Sequence, residues 1–459
     1  MSLNLCKLML RKTTSLEEDI AMTEIYTEFI HHASHELAKL LLAKLPEEQL
    51  EQVQYTDAEA KAILTLVGKE AMRVVLTTLA ERVTEEAKQE GFTVERRPSI
   101  RVDVVFGAIE IESPYLWRKG LGCRPVKERL GVEHATRTPA VERALTDFGA
   151  EESFAQAAER FAEHYGFEIG ASTLGRVVTE VAPEAEEYLA AKLQEAEAEY
   201  AKPVAVRRGA AELLVELDGC EIRTVTCQTL RDEKTQAICQ RVRHLEWREV
   251  RVGLAGRLGS AKRTFVARLG SYPEVCRELF AASIMEGLSP VTKVIGVADG
   301  GAGLREELAV HFPHLQFILD QPHLVSHLYE TGEDLAYTSS KRAQWVTKKL
   351  AQVSAGEVKK VLRELRLKEK SCARAGRLRG YLDRFRDAVF YDKFQAAGYP
   401  IGSGEIESAH RYIPQKRLKI AGASWKPETI NKMLALRVMR ANGWWSEFWQ
   451  QRQAKVLAA

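Results

Sequence analysis

Residues 211–220, AELLVELDGC, decide the fold of this chain. Their apolar run predicts a short buried β-strand that delivers one carboxylate, Asp218, at its end. Two later stretches carry carboxylates in a comparable setting. VTKVIGVADGG contains Asp299, and YPIGSGEIESAHR contains Glu405 and Glu407. We expect Asp218, Asp299 and one of the two glutamates to converge on a single site.

The sequence around that strand predicts an α/β core with the order β-β-β-α-β-α-β, and this order resembles the ribonuclease-H-like arrangement. Expected strands are 212–217, 244–254, 263–269, 291–298 and 315–319, with helices at 272–287 and 304–310. Ligand sites in an open parallel sheet lie beyond the carboxyl ends of the strands. Asp218 and Asp299 each follow an apolar strand and precede a glycine, so we expect them to be neighbours.

Carboxylates held close together repel one another unless a cation lies between them. A hard divalent ion that prefers oxygen ligands is therefore expected, and two such ions can promote phosphoryl transfer. Asp-Gly is also a common turn dipeptide, and each aspartate taken alone would be assigned to a turn. Three carboxylates in this fold order favour the metal site. Glu405 and Glu407 point to different sides of a helix, at about 100° per residue, and their spacing does not decide which one faces the metal.

The remaining sequence predicts helical and mixed segments on both sides of the first part of the core. The expected segments are 1–95, an N-terminal helical domain; 96–135, a β-hairpin and basic loop; 136–205, a helix-turn-helix and helical linker; 206–325, the first part of the core; 326–395, a helical insertion; and 396–459, the catalytic C-terminal helix and tail. The N-terminal helices fit oligomerisation, DNA docking or plain packing equally well.

The helix-turn-helix prediction rests on short amphipathic helices separated by glycine-containing turns. Ser153 and Ser172 are expected to cap its helices. Arg176 would then lie on the helix that contacts DNA. Many helical bundles share this pattern, so a bundle without DNA contacts is the alternative.

Composition allows a nucleic-acid partner without demanding one. Hydrophobic residues make up 45% and charged residues 28% of the 459 residues, and the net charge is +2. Any basic surface must therefore be local. The seven cysteines form no CxxC pair, which argues against a zinc ribbon or a disulfide framework. No signal peptide or membrane span is expected, because lysines interrupt the most apolar helical stretch.

Several motifs together resemble the DDE transposases of bacterial insertion sequences. They are LDG at Asp218, ADGG at Asp299, ILDQPHL at 318–324, and YPIGSGEIES followed by basic residues. The similarity is to the Kra-type group, which is related to the Mutator-like branch. In that family's pattern the catalytic glutamate follows GSG and two further residues and precedes a small residue, which corresponds here to Glu407 before Ser408.

The resemblance implies roles for further residues. Asp320 and His323 correspond to an aspartate-histidine pair of the Mutator-like enzymes, in which the histidine would position phosphate or move a proton. Packing is the alternative for His323, and Asp320 competes with Asp299 for the metal. The residues expected to hold DNA phosphates are Arg411, Lys416, Arg417 and Lys419. Trp425 would stack on an unpaired base or fill the core.

The function that the resemblance implies is a transposase that cuts and joins DNA strands with two Mg²⁺ or Mn²⁺ ions. Its partner would be double-stranded DNA, both at the transposon ends and at the target. The protein would act as a homodimer or a larger oligomer, and it would be located in the cytoplasm in association with the nucleoid. Two alternatives are a domesticated regulator that binds DNA without cutting it and a structure-specific nuclease of the same fold.

Overall fold

The computed structural model describes residues 16–131, 136–202, 209–231 and 238–458. The chain divides into two compact units. One consists of Met1–Glu142 with Ala162–Phe167, and the other of Arg143–Phe161 with Glu168–Ala459. The carboxylates of the expected site all belong to the second unit.

The first unit combines helices with short antiparallel strands. Its elements are α1 (Leu16–Lys44), α2 (Glu47–Leu50), α3 (Val53–Gln89), β1 (Thr93–Arg96), β2 (Ser99–Val104), β3 (Gly107–Glu112), β4 (Tyr115–Arg118), β5 (Leu121–Cys123) and α4 (Pro125–Arg129). β2 pairs with β3 in the predicted hairpin, and β1, β4 and β5 form a separate sheet. The helices predicted for the N-terminal segment are present in its described part, from residue 16 onwards.

The hairpin of the first unit packs its inward residues into a small core. Val102, Val104, Ile109 and Ile111 alternate along the two strands and are buried together with Ala80 of α3. This alternation is the period of two that predicted the hairpin.

Two helices, α5 (Pro139–Glu151) and α6 (Phe154–Tyr165), contain residues of both units. The second unit continues with a long helix, a five-stranded sheet and a helical region. These elements are α7 (Ala171–Ala201), β6 (Glu212–Arg231), β7 (Ile238–Arg257), β8 (Thr264–Leu269), α8 (Tyr272–Met285), β9 (Lys293–Ala298), α9 (Leu304–His311), β10 (Leu315–Leu319), α10 (Gln321–Asp334), α11 (Ser339–Ser354), α12 (Val358–Lys368), α13 (Ala373–Arg384), α14 (Tyr391–Ala396), α15 (Gly404–His410), α16 (Lys416–Leu418), α17 (Pro427–Ala441) and α18 (Trp445–Ala458).

The five-stranded sheet is mixed and has the order β10-β9-β6-β7-β8. β10, β9 and β6 run parallel, while β7 is antiparallel to both β6 and β8. Its central strands are apolar and buried, as expected for strands covered on both faces. The predicted order of strands and helices is present, and the second unit is a mixed α/β structure. Its assignment to the ribonuclease-H-like class stays a prediction.

Three local predictions are wrong. The strand that carries Asp218 does not end there but continues to Arg231, and β7 begins at Ile238 instead of at residue 244. The pairing of β6 with β7 extends both strands, and the β-branched residues between 222 and 229 suit that pairing. Ser172 is not a helix cap, because α7 begins at Ala171 after Gly170. Ser153 does cap α6, since its hydroxyl accepts a hydrogen bond from the Gln156 backbone N–H at 3.3 Å.

The helix expected after Ser172 is much longer than a recognition helix. α7 has 31 residues and continues through Pro183. The expected linker is therefore the second half of the same helix. Residues buried along this helix include Leu174, Val178 and Leu189. The helix packs against α8 and α17 of the same unit.

The catalytic segment predicted after residue 396 is helical but irregular. α15 passes into a π-helical turn, Arg411–Gln415, before α16. Pro414 lies inside that turn. Proline lacks a backbone N–H and crowds the preceding carbonyl, so the wider turn accommodates it. None of the helices in the described ranges combines the length and the apolar character that a membrane span needs.

Candidate active site

Three aspartates lie at one edge of the sheet on neighbouring parallel strands. β9 pairs with both β6 and β10 up to its last residue, Ala298. Asp218, Asp299 and Asp320 each follow the residue in that last paired row. Neighbouring strands are about 4.8 Å apart, so the sheet brings the three aspartates together at its edge.

Asp218 is half-buried and surrounded by negative charge. One carboxylate oxygen accepts a hydrogen bond from the Gly219 backbone N–H at 2.7 Å. Burial raises the pKa of Asp218, and the charges of Asp299 and Glu407 raise it further, against the opposing effects of the Gly219 hydrogen bond and of His323. These interactions join the two aspartates and Glu407 in one electrostatic cluster.

Asp299 lies where the helical region meets the sheet. Its carboxylate accepts a hydrogen bond from the Gly301 backbone N–H at 3.0 Å. Tyr381 of α13 lies against this loop: burial raises the pKa of its hydroxyl, and the charge of Asp299 raises it further. Arg384, also on α13, donates a hydrogen bond to the Gly300 carbonyl. The predicted helical insertion thus holds the loop that presents Asp299.

Asp320 has a structural role. Its Oδ2 accepts hydrogen bonds from the His323 backbone N–H at 2.8 Å and from Nδ1 of the same residue at 2.6 Å. Its Oδ1 accepts hydrogen bonds from the Ser403 backbone N–H and hydroxyl at 2.6 Å and 2.9 Å. Both oxygens are engaged and the side chain is fully buried. Asp320 therefore caps α10 and ties it to the start of α15, and both of its oxygens are already occupied by these hydrogen bonds.

His323 carries a positive charge at neutral pH. The hydrogen bond to Asp320 raises its pKa to about 9, and the charges of Asp299 and Asp218 add to that effect. Its side chain is 40% exposed. His323 is therefore a cationic, partly exposed side chain whose charge interacts with those of Asp218 and Asp299.

The two glutamates of α15 have different surroundings. Glu405 forms a bidentate ion pair with Arg263 of the β7–β8 connection, with N–O distances of 2.6 Å and 2.8 Å. Arg263 is largely buried by this contact, its side chain being 9% exposed. Glu407 raises the pKa of Asp218 instead. The helix therefore directs Glu407 towards the aspartates, which is the choice that the spacing could not make.

A buried glutamate fixes α15 on the sheet. Oε2 of Glu216, on β6, accepts a hydrogen bond from the Ile406 backbone N–H at 2.8 Å. Burial raises the pKa of Glu216 to about 8, so its carboxyl is mostly protonated at neutral pH. Glu216 precedes Asp218 by two residues and points to the same face of the strand.

His410 completes the contact between α15 and β6. Its Nε2 lies 3.5 Å from Oδ2 of Asp218, and within the described structure neither ring nitrogen has a hydrogen-bond partner. Burial lowers the pKa of His410 to about 4, which keeps the ring neutral. Residue 410 follows Glu407 by three, so both side chains lie on the same helix face.

The donor set suits a hard divalent cation. Asp218, Asp299 and Glu407 provide carboxylate oxygens, and none of them forms an ion pair with a lysine or arginine in the part of the chain that the structure describes. Excess negative charge of this kind is what Mg²⁺ or Mn²⁺ neutralises. Over the same residues, no three His, Cys, Asp or Glu side chains are already arranged as a metal site. The carboxylates are close enough to interact, but they are not preassembled as ligands.

Arg417 does not fit the phosphate-binding role expected of it. Its side chain is buried, with the guanidinium between the rings of Phe154 and Trp425 at 4.7 Å and 4.8 Å. Its Nε donates a hydrogen bond to the Gly149 carbonyl at 2.9 Å. Burial lowers its pKa to about 10. Arg417 therefore packs the α5–α6 region against the chain that follows α15.

The other residues expected to contact DNA are at least partly exposed, in different settings. Arg411 and Lys419 are exposed, and the charge of Lys419 acts on Cys220 and His410 beside Asp218. Lys416 forms an ion pair with Glu151 at 2.5 Å. Arg176 lies 3.9 Å from Glu180 on the exposed side of α7.

Trp425 has a structural contact that the sequence did not indicate. Its backbone pairs with the edge of β6 through hydrogen bonds to Arg223 and Val225, at 3.0 Å and 2.8 Å. Its indole N–H donates to the Leu418 carbonyl at 3.1 Å. With Phe154 and Arg417 it lines a largely apolar cavity of about 420 Å³. This supports packing over base stacking.

Four residues at the site were missed from sequence: Glu216, Arg263, Ser403 and His410 in their observed roles. The role of Glu216 could have been suspected from sequence, because a glutamate is unusual in an apolar strand and this one lies on the same strand face as Asp218. The role of His410 could also have been suspected, because its spacing of three residues from Glu407 places both side chains on one helix face. Arg263 lies 142 residues from its partner, and no local pattern links the two.

The sheet and its edge define a mixed α/β protein with a carboxylate cluster at the carboxyl ends of parallel strands. A family model described as Uncharacterised protein family (UPF0236) matches residues 50–453. The chain belongs to that family. No curated protein is significantly similar to it.

Among solved structures, the chain has a weak likeness to the Drosophila P element transposase strand transfer complex. The TM-score is 0.26 and the sequence identity 10%, and the match covers 71% of this chain and 83% of that chain. A likeness of that size carries no argument about fold or function.

Proposed function

We propose that this protein is a DDE transposase, in which Asp218, Asp299 and Glu407 bind Mg²⁺ or Mn²⁺ and the enzyme cuts and joins DNA strands. The observation that carries the proposal is the electrostatic cluster of these three carboxylates, which come from two parallel strands and one helix. The Glu216–Ile406 hydrogen bond supports it further, because that contact holds α15 against β6.

The sheet order supports a ribonuclease-H-like core. The strand order β10-β9-β6-β7-β8, with β7 antiparallel, is the one expected for that class. The helical insertion follows β10 and returns the chain to α15. The motifs around Asp218, Asp299 and Glu407 support a transposase of the Kra-type group.

Each residue would have a distinct task. Asp218, Asp299 and Glu407 would hold the ions, which when bound supply activation of a nucleophilic oxygen and stabilisation of the leaving oxygen. The positive charge of His323 would attract and orient the phosphate that is cut. Asp320 would hold the His323 ring in place through the 2.6 Å hydrogen bond.

DNA and a second copy of the chain are the proposed partners. The exposed Arg411 and Lys419 would contact the phosphates of the transposon end. Exposed apolar residues on α1 and α3 support assembly of two or more copies, and they include Phe29, Ile30, Leu40, Leu66 and Val67. Two transposon ends must be cut together, so a dimer is the smallest assembly expected.

The test is a cleavage and strand-transfer assay with DNA that carries the inverted repeats flanking the gene. The wild-type protein should cut the repeat ends in Mg²⁺ or Mn²⁺ and join a pre-cut end to target DNA. Asp218→Asn, Asp299→Asn and Glu407→Gln should each lower the rate at least a hundredfold while DNA binding persists. Glu405→Gln is the matched control and should retain most activity.

Three outcomes separate this proposal from its alternatives. Cleavage without joining of a pre-cut end would indicate a structure-specific nuclease. DNA binding without any metal-dependent cleavage would indicate a regulator. Normal cleavage by the Asp218, Asp299 and Glu407 variants would show that the site is elsewhere.

A further inference from the structure

β6 and β7 extend well beyond the sheet to which they belong. β9 pairs with β6 only over Glu212–Leu217, and β8 pairs with β7 only over Val250–Ala255. Beyond these contacts the two strands pair with each other as far as Arg231 and Ile238, and the backbone of Trp425 pairs with the edge of β6 at Arg223 and Val225. Residues 222–231 and 238–248 therefore form a two-stranded extension, the β6–β7 ribbon, which is buried on β6 at Ile222, Thr224 and Val225 and exposed from Thr226 to Thr229. Beyond Val225 the outer edges of the ribbon have no further strand partner among the described residues. A two-stranded ribbon with exposed edges is marginally stable alone, which is typical of an element that receives a partner.

One face of the ribbon is basic and apolar. Arg223 lies opposite Trp247, and the following pairs on the same face place Leu245, Arg243 and Arg241 along it. Trp247 is 63% exposed and Leu245 50% exposed. The pairs on this face from Arg223 to Arg241 include no carboxylate, and the structure gives none of the three arginines an ion pair with any residue it describes. We call this surface the arginine face.

The opposite face has balanced charge. Arg248 donates to the Glu246 carboxylate from Nε at 2.8 Å, so the two charges offset one another. The accumulation of positive charge is therefore confined to one side of the ribbon.

We propose that the arginine face of the β6–β7 ribbon binds double-stranded DNA. Arginine forks match phosphate oxygens, and an exposed tryptophan between them matches the apolar sugar and base surfaces. A two-stranded ribbon is narrow enough to enter the major groove. Ten residues of β6 extend roughly 30 Å, close to one turn of the duplex at about 34 Å.

The ribbon is continuous with the strand that carries Asp218, and this connects the surface to the proposed chemistry. Asp218 belongs to the alternate set of side chains on β6, so the arginine face starts on the opposite side of that strand. We therefore expect the arginine face to contact the duplex next to the segment that is cut, and not that segment itself. The choice of DNA as partner rests on the proposed function, but the contact itself needs no metal and no cleavage.

The experiment is a DNA-binding titration in EDTA, by fluorescence anisotropy with a 40-base-pair duplex over a range of salt concentrations. The full chain is compared with Arg223→Gln/Arg241→Gln/Arg243→Gln and with the milder Arg241→Gln/Arg243→Gln. The triple variant should bind more weakly, and its slope of log K against log salt should fall by about 2 to 3. Trp247→Ala should weaken binding about tenfold without changing the slope.

Arg248→Gln is the matched control, because it removes one arginine from the opposite face. Its affinity and salt slope should equal those of the wild-type protein, and thermal unfolding should show that all variants are folded. The inference would be overturned if both arginine variants kept the wild-type slope of log K against log salt. It would also be overturned if the wild-type protein did not bind DNA. The inference would also be overturned if the arginine variants bound DNA like the wild-type protein but no longer bound phosphatidylglycerol vesicles. That result would assign the arginine face to a membrane. Because the titration is done in EDTA and measures binding alone, a failure of the catalytic proposal is seen separately in the cleavage assay.

Discussion

Glu405 and Glu407 are two residues apart and should respond to substitution in opposite ways. Glu405→Gln weakens the bidentate contact with the largely buried Arg263, so the free energy of unfolding should fall by about 1 kcal/mol. Glu407→Gln removes a charge that raises the pKa of Asp218, and stability should be unchanged or slightly higher. Urea unfolding of the two variants measures this difference.

The same pair of variants tests the metal site independently of cleavage. Mn²⁺ should raise the thermal unfolding temperature of the wild-type protein and of Glu405→Gln. It should raise that of Glu407→Gln much less. Equal shifts for both variants would contradict the assignment of Glu407 as a ligand.

His323 should titrate far above the ordinary range for histidine. The hydrogen bond to Asp320 raises its pKa to about 9 from 6.5. Because the folded-state pKa is the higher one, the stabilisation from this pair is complete below about pH 6.5 and is lost as the pH rises through about 9. NMR titration of the imidazole in the metal-free protein measures the midpoint.

Asp320→Asn is the variant that isolates this effect. Although burial raises the pKa of Asp320, its hydrogen bonds from His323 and Ser403 keep it low, so the carboxylate is charged in the folded protein. Without that charge the His323 midpoint should fall towards its ordinary value. A midpoint that stays near 9 in Asp320→Asn would mean that other groups hold the proton.

For individual residues, the sequence predicted the positions of the carboxylates better than those of the basic side chains. Asp218 and Asp299 follow apolar strands, and that local pattern sufficed to predict their proximity. Arg417 was assigned to phosphate because it is a basic residue after Glu407. Its burial depends on Phe154, which lies far away in sequence. Charge type is local information, whereas burial is not.

Among the elements, the β9–α9 loop and α13 make a close contact that a single methyl group should disturb. A Cβ atom on Gly300 would lie 2.2 Å from a ring carbon of Tyr381 and 2.7 Å from one of Phe385. Gly300→Ala should therefore lower the free energy of unfolding by about 1–3 kcal/mol. It should also slow cleavage, because the displaced loop presents Asp299.

Gly380→Ala is the control on the same helix. A Cβ atom at this exposed position of α13 meets no atom within 4 Å, and alanine favours a helix over glycine. Its free energy of unfolding should rise by about 0.5–1 kcal/mol with activity unchanged. Urea unfolding and cleavage rates of the two variants provide the comparison, and similar losses in both would refute the close contact.

The elements also show where local patterns stop being informative. Short-range signals placed β8, β9 and β10 within two residues of their observed bounds. They ended β6 too early, because its continuation depends on pairing with β7 and not on its own residues. Likewise the helical linker predicted within residues 136–205 is the second half of α7, which continues through Pro183 and is buried along much of its length.

A buried arginine on α17, Arg437, connects distant parts of the second unit. Arg437 is 4% exposed and donates to the backbone carbonyls of Ile413 and Ala150 at 3.2 Å and 3.3 Å. It also contacts the Tyr412 carbonyl and the carboxylate of Glu151. One side chain thus connects α5 to the π-helical turn that follows the proposed catalytic helix.

Arg437→Met should therefore destabilise the whole unit and not only its neighbourhood. The substitution leaves buried carbonyls without donors and breaks the contact with Glu151, so the free energy of unfolding should fall by about 3 kcal/mol or more. Arg437→Lys keeps the charge but cannot reach all of these acceptors, and its loss should be intermediate. Calorimetry with a double-mutant cycle that includes Glu151→Gln measures both effects.

Since Lys416 also pairs with Glu151, the coupling energy between residues 437 and 151 should be smaller than the total loss of unfolding free energy in Arg437→Met. A loss below about 1 kcal/mol in Arg437→Met would mean that this arginine does not tie the unit together.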